Sequence, residues 1–281
     1  MEDGARGEAG TPPPSHDHAR DDGIDVRVYA SPAALSDAGA TLVANSLADA
    51  IATRGRAVLS LAGGTTPRAL YQRLADAHRD DVAWERVVIA FGDERCVPPS
   101  SADSNFRMVS DALLDHVPLR REHVHRVHGE LPPDRAAEDY DRVVRTLAGG
   151  GDTHDGPAYS LVDPIFDVTI LGVGADGHTA SLIPGSAALD ERDRWAVAVS
   201  APTSVPGPSS RVTLTIPVLH ASRMVIFLAT GASKMDAVRA SLVGGTPIAR
   251  RTPAGRVRGM ERTLWLLDQV AAGEELIAML D

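Results

Sequence analysis

Residues 172–186, GVGADGHTASLIPGS, follow directly on the apolar run FDVTILG. Gly172, Gly174 and Gly177 stand in the G-x-G-x-x-G spacing of a dinucleotide loop. That loop continues into a long helix and places an acid about 20 residues further on. Here Pro184 interrupts soon after His178, and Asp190 and Glu191 come early and off any strand end. The glycine spacing is therefore accidental, and the chemistry lies in Asp176 and His178. A carboxylate two residues before an imidazole can fix its tautomer and stabilise its charged form, which makes the two an acid–base pair. GHTAS lacks the G-x-S-x-G elbow, so Ser181 is not a candidate nucleophile.

Three other polar loops follow apolar runs. In LAGGTTPRALY (61–71), Gly63, Gly64, Thr65 and Thr66 precede Pro67 at the start of a helix. Glycine amides, threonine hydroxyls and a helix N-terminus together bind an anion, and a tight turn is the plainer alternative. The loop has no G-K-[ST] ending, which favours a monophosphate over ATP. Arg68 is a cationic candidate here that can equally lie on the outer helix face. FGDERCVPPSSADSNFRM (91–108) packs Asp93, Glu94 and Arg95 at a strand end. Arg211 precedes one later strand and Lys234 follows the next. Lys234 is the single lysine among 28 basic residues, which suits a position needing a compact ammonium. The histidines of HVHRVH (123–128) invite a metal, but no carboxylate or cysteine set accompanies them. Alternation along an exposed strand is the better reading.

These loops need a scaffold that brings them together. Strand-like runs occur at 24–30, 56–62, 86–92, 123–129 (the weakest), 166–172, 195–200, 211–216, 223–229 and 262–268. Helical patterns lie between them at about 31–54, 67–77, 104–116, 134–147 and 233–242, the first with Ser31 as N-cap and Pro32 at its first position. Such alternation predicts an α/β, three-layer, Rossmann-like domain with a mostly parallel sheet and helices on both faces. Ligands bind beyond the carboxyl ends of such strands, where GGTT, GDER, GADGH and TGASK all fall. We expect one domain over 24–281, preceded by a disordered extension over 1–23 that is rich in Gly, Pro and charge.

Composition narrows the partners. The chain has 281 residues, 43% of them hydrophobic, enough for one sizeable core. A net charge of −10 argues against a broad nucleic-acid-binding face and leaves room for a small anion. One cysteine, Cys96, cannot form an intramolecular disulfide and fits a reducing compartment. No apolar run approaches the roughly 20 residues of a membrane span, and the first residues lack the apolar core of a secretory signal. These features predict a cytoplasmic protein; a monomer or weak homodimer is a separate expectation that composition does not decide.

Taken in order, LAGGTTPRALY, FGDERCVPPSSADSNFRM, GVGADGHTASLIPGSAAL and RVTLTIPVLHASRMVIFLATGASK resemble the 6-phosphogluconolactonases. That group also holds glucosamine-6-phosphate isomerase/deaminase. In the isomerase branch tyrosine follows the Asp-Glu pair and the histidine loop runs on through Asn-Glu-Pro. This chain has Arg95 and Ile183 at those places. The resemblance implies hydrolysis of 6-phospho-D-glucono-1,5-lactone by a His178-activated water, with Asp176 orienting the ring. It places phosphate on Gly63, Gly64, Thr65 and Thr66, with Arg68, Arg95, Arg211 and Lys234 as cations, and implies no cofactor. Backbone amides of 172–177 are candidate oxyanion donors, and APTSVPGPSS (201–210) is a candidate lid. The alternatives are a deaminase-like enzyme and a non-catalytic sugar-phosphate sensor. Exhaustive chelation should leave turnover of the lactone unchanged, and a loss restored by zinc would revive the metal reading.

Overall fold

The computed structural model describes residues 12–19, 23–149, 156–243 and 252–280. Seven strands form the main sheet, in the order β1 (His16–Ala19), β2 (Ile24–Tyr29), β10 (Arg262–Asp268), β9 (Ser222–Ala229), β6 (Phe166–Gly172), β3 (Ala57–Leu61), β4 (Val87–Phe91). Every pairing in it is parallel except that of β1 with β2. The Val/Ile/Leu-rich strands are apolar on both faces because both faces are covered. Leu264 and Leu266 belong to the core under α1 (Pro32–Arg54) and α2 (Thr65–Ala77). Trp265 and Leu267, between and after them, belong to the core under α4 (Pro133–Ala148), α6 (Met235–Leu242) and α8 (Gln269–Leu280), to which the short α5 (Ile216–His220) and α7 (Pro253–Arg256) also contribute. Trp265 stacks on Phe227 of the neighbouring strand, ring centroids 4.3 Å apart.

Local signals act as expected at several ends. The Ser31 hydroxyl accepts from the Ala34 amide at 3.2 Å and caps α1. Helix α2 starts two residues before Pro67, at Thr65, so both threonines of the glycine-rich loop sit in its first turn. The helix expected over 104–116 is shorter: α3 covers Asn105–Val109 and widens into a π-helical turn at Ser110–Leu114.

Two expectations are corrected. The segment 123–129 is not a strand; Val124 makes a single bridge to Ile89, and the chain then turns beneath the backbone of Arg95 and Val97. The Gly129 backbone comes so close to Arg95 that a Cβ there would lie 2.4 Å from its carbonyl oxygen. The stretch 1–23 is not wholly disordered either. His16–Ala19 forms β1, and the Ser15 amide and hydroxyl both donate to the Val28 carbonyl. A polar sequence can do this because an edge strand needs backbone pairing more than apolar side chains. Residues 1–11 and 20–22 lie outside the described residues.

The sheet opens where its order reverses. From β3 the chain crosses to β4 on one side and returns to β6 on the other. β3 and β6 pair only at Leu59–Val168 and Ser60–Thr169, whereas β6 stays paired with β9 as far as Gly172. Beyond Ser60 the two strands part, which makes the crevice expected at such a switch point. A second, antiparallel sheet of β5 (Asp93–Arg95), β8 (Ser210–Leu214) and β7 (Ala196–Ser200) supplies one wall of it. That sheet was not expected from the sequence. No helix among the described residues is long and apolar enough to cross a membrane.

Candidate active site

The crevice encloses a cavity of about 620 Å³. It is lined by Gly63, Gly64, Thr65, Thr66, Arg95, Asp176, His178, Arg211 and Lys234, nine of the ten residues singled out in the sequence. Arg68 is the exception. It lies exposed on α2, outside the cavity lining, because the helix turns it away from the loop that precedes it. A larger trough of about 820 Å³ runs between α1, α2 and the π-helical turn and holds none of these groups.

The Asp176–His178 pair is formed. Asp176 Oδ1 lies 2.5 Å from His178 Nδ1 and also accepts the His178 amide at 3.1 Å. With a carboxylate on Nδ1, that nitrogen carries the proton and Nε2 is left as the basic atom. Burial alone would raise the Asp176 pKa, but the His178 amide and ring outweigh it and hold the carboxyl below its ordinary 3.8. Gly174 makes room for the pair, since a Cβ there would sit 2.1 Å from His178 Nδ1 and 2.6 Å from Asp176 Oδ1. The Gly174 amide donates to the His178 carbonyl and the Gly177 amide to the Gly174 carbonyl. Those two amides therefore hold the loop's shape and are not oxyanion donors, which narrows that expectation. Ala180, also on the lining, has φ of 48°, a left-handed conformation worth about 1 kcal/mol of strain for a residue with a Cβ.

The cations face the same space. β5 and β8 are registered so that Arg95 stands directly opposite Arg211. Like charges in that position repel and lower stability. Burial pushes the Arg211 pKa down, Asp93 opposes the shift and Arg95 adds to it. Arg211 donates to the carbonyls of Pro208 at 2.9 Å and Pro206 at 2.6 Å, so it also fastens the segment 201–210. Ser204, Val205 and Pro206 of that segment line the cavity, and Val205 packs with Ala201 and Ile183 beneath it. Lys234 is half-buried at the foot of α6; burial lowers its pKa, and the Asp176 charge opposes the change. Thr66 reaches Thr230 Oγ1 at 2.8 Å, joining the loops after β3 and β9.

Two acids adjoin these groups: Asp93 lines the cavity itself, and Glu94 sits behind the wall. Glu94 is 2% exposed and accepts from Arg95 N and Asn105 N at 2.7 Å, Phe106 N at 2.8 Å and the Ser104 hydroxyl at 3.0 Å. Burial pushes its pKa up, and these four donors work against that. Asp93 accepts from Asn105 Nδ2 at Oδ1 and from Ser181 Oγ at Oδ2, 2.6 Å away. Asn105 lines the cavity and was missed in the sequence, as was Ala180. Asn105 carries no local signal, because contacts with Asp93 and Glu94 bring it to the wall, and Ala180 offers no reactive side chain to single out.

Residues 30–265 match the family described as glucosamine-6-phosphate isomerases/6-phosphogluconolactonase. The chain belongs to that family. It is 38% identical over 247 residues to the 6-phosphogluconolactonase of Mycobacterium tuberculosis, covering 85% of this chain and 93% of the relative. The structure of 6-phosphogluconolactonase from Trypanosoma cruzi is similar with a TM-score of 0.75 at 26% identity, over 92% of this chain and 98% of the other. A monomeric glucosamine-6-phosphate deaminase shares the fold with a TM-score of 0.70 at 22% identity, over 89% and 99% of the two chains. Both branches of the family thus use this architecture, and the fold alone does not separate them.

The acid–base pair also makes a pH-dependent contribution to stability. The folded Asp176 carboxyl titrates below 3.8, so the unfolded chain takes up its proton first as pH falls. The contribution is intact above about pH 4 and disappears as pH drops through the folded value. Urea midpoints measured from pH 5 downward should fall less steeply for Asp176→Asn than for the wild type below about pH 4.

Proposed function

We propose that this chain hydrolyses 6-phospho-D-glucono-1,5-lactone to 6-phospho-D-gluconate, the second step of the oxidative pentose phosphate pathway, in the cytoplasm. The observation that carries the reading is one cavity shared by an acid–base pair and three cations, Arg95, Arg211 and Lys234. Two arginines opposed across strands repel; Asp93 offsets part of that repulsion, and a bound anion offsets more. A phosphate held by these cations and by Gly63–Thr66 at the start of α2 supplies that anion.

A lactone is an activated ester, so its hydrolysis needs a deprotonated water and a proton for the departing ring oxygen. His178 Nε2 takes the water's proton as general base and returns it to the ring oxygen as general acid. Asp176 holds the ring in the tautomer that leaves Nε2 free and stabilises the imidazolium between the two transfers. Ser181 is no rival nucleophile, because its side chain is fully buried outside the cavity lining and serves as a donor to Asp93. Ile183 supports the lactonase over the deaminase. Where the deaminase branch carries a glutamate, this chain has a buried side chain that anchors the 201–210 segment.

The deciding experiment follows proton release from fresh 6-phosphogluconolactone, corrected for spontaneous hydrolysis, with ammonia release from glucosamine 6-phosphate measured in parallel. Acceleration of the lactone alone supports the proposal, ammonia release would move the chain to the deaminase branch, and tight binding of 6-phosphogluconate without turnover would make it a sensor. His178→Ala should lower kcat by at least about a hundredfold with little change in melting temperature, and a loss of under tenfold would mean another base. Lys234→Ala should raise KM for the phosphorylated lactone about tenfold or more while kcat changes less; an unaltered KM would remove Lys234 from the phosphate site.

A further inference from the structure

Asn105 is 2% exposed, yet it lines the cavity. Its backbone amide is held by Glu94 Oε1 at 2.7 Å. Its Nδ2 donates to the Asp93 carbonyl at 3.0 Å and to Asp93 Oδ1 at 3.1 Å. Its Oδ1 has no hydrogen-bond partner among the described residues. The side-chain amide cannot be turned over, because both groups facing Nδ2 are acceptors and would repel an oxygen. Ser181 Oγ occupies the other Asp93 oxygen and fixes that carboxylate in turn. The serine, the aspartate and the asparagine thus form a chain that ends in one obligatory acceptor.

That acceptor points toward the phosphate loop. A Cβ added to Gly63 would fall 1.9 Å from Asn105 Oδ1, so only glycine lets the loop pass in front of it. A buried acceptor left unpaired is unfavourable, and a ligand donor that reaches it restores the hydrogen bond. An amide oxygen repels phosphate oxygens, so this part of the wall takes an uncharged donor. Arg95 Nε is also buried and without a partner among the described residues, and Arg95 lines the same cavity. The phosphate and carbonyl oxygens of the lactone only accept, whereas its ring hydroxyls also donate, so the donor that the Asn105 acceptor takes from the substrate is a hydroxyl.

We propose that Asn105 Oδ1 accepts a hydrogen bond from a ring hydroxyl of the lactone and makes Asn105 a specificity-determining residue. The inference rests on the lactonase reading and adds to it. Asn105 selects for a polyhydroxylated ring, while Gly63–Thr66 and the cations select for phosphate. A site built to bind a hydroxyl discriminates against the analogue lacking it, because its own buried polar group is then left unpaired.

The test measures kcat/KM of the full-length wild type on 6-phosphogluconolactone and on its 2-, 3- and 4-deoxy counterparts. Hydrolysis of the parent lactone establishes the underlying activity, and its absence would overturn both readings together. With the parent hydrolysed, we expect one deoxy lactone to be disfavoured by about 10- to 100-fold. Asn105→Ala, and Asn105→Leu as a near-isosteric apolar variant, should lose that one discrimination and keep the ratios for the other two. Equal use of all three deoxy lactones by the wild type, within about threefold, overturns the proposal without any variant. Retention of the full discrimination by either folded variant overturns it as well.

Discussion

A carboxylate buried to 2% exposure is stable only if donors surround it, and Glu94 is surrounded by four. Three of them are backbone amides and one is the Ser104 hydroxyl. These bonds tie a three-residue strand to the first turn of α3, two pieces too short to hold each other by apolar contact. Through them Arg95 is presented on one side and Asn105 on the other. Asp93, the neighbour of Glu94, carries the restraint to Ser181 and so to the loop bearing His178. The wall of the cavity is thus positioned by one buried carboxylate whose removal would leave its donors unpaired.

The functional wall is organised against local stability. Arg95 and Arg211 oppose each other on adjacent strands, Lys234 is half-buried, and Ala180 has a left-handed backbone. Each feature is unfavourable by itself, and the large apolar cores on both faces of the sheet tolerate them. Their convergence in one crevice, opened where β3 and β6 stop pairing, is what distinguishes a site from a set of surface charges.

The main sheet and its helices were legible in the sequence because buried parallel strands are uninterrupted Val/Ile/Leu runs and capped helices carry their own signals. The Asp176-x-His178 pair and the glycine-rich loop were legible because their chemistry is local. Asp93–Arg95 was not legible as a strand. Its residues are charged, and it is a strand only because its backbone pairs with Ser210–Leu214. Asn105 stands in an ordinary polar stretch, and its role arises from contact with residues 93 and 94, about three turns of helix away in chain length. Arg68 shows the opposite limit, since proximity in sequence to a binding loop does not say which side of a helix a side chain takes.

The strand His16–Ala19 has a consequence for how copies of this chain meet one another. Without it, the sheet would end at β2, a six-residue strand whose outward backbone groups could recruit a strand from another molecule. With it, the boundary is four residues long, antiparallel and polar, and Asp17 forms an ion pair with Arg27, its partner in the ladder. A stretch that adds little to the core thereby closes the sheet's sticky margin and keeps a strongly apolar β-structure from templating its own aggregation.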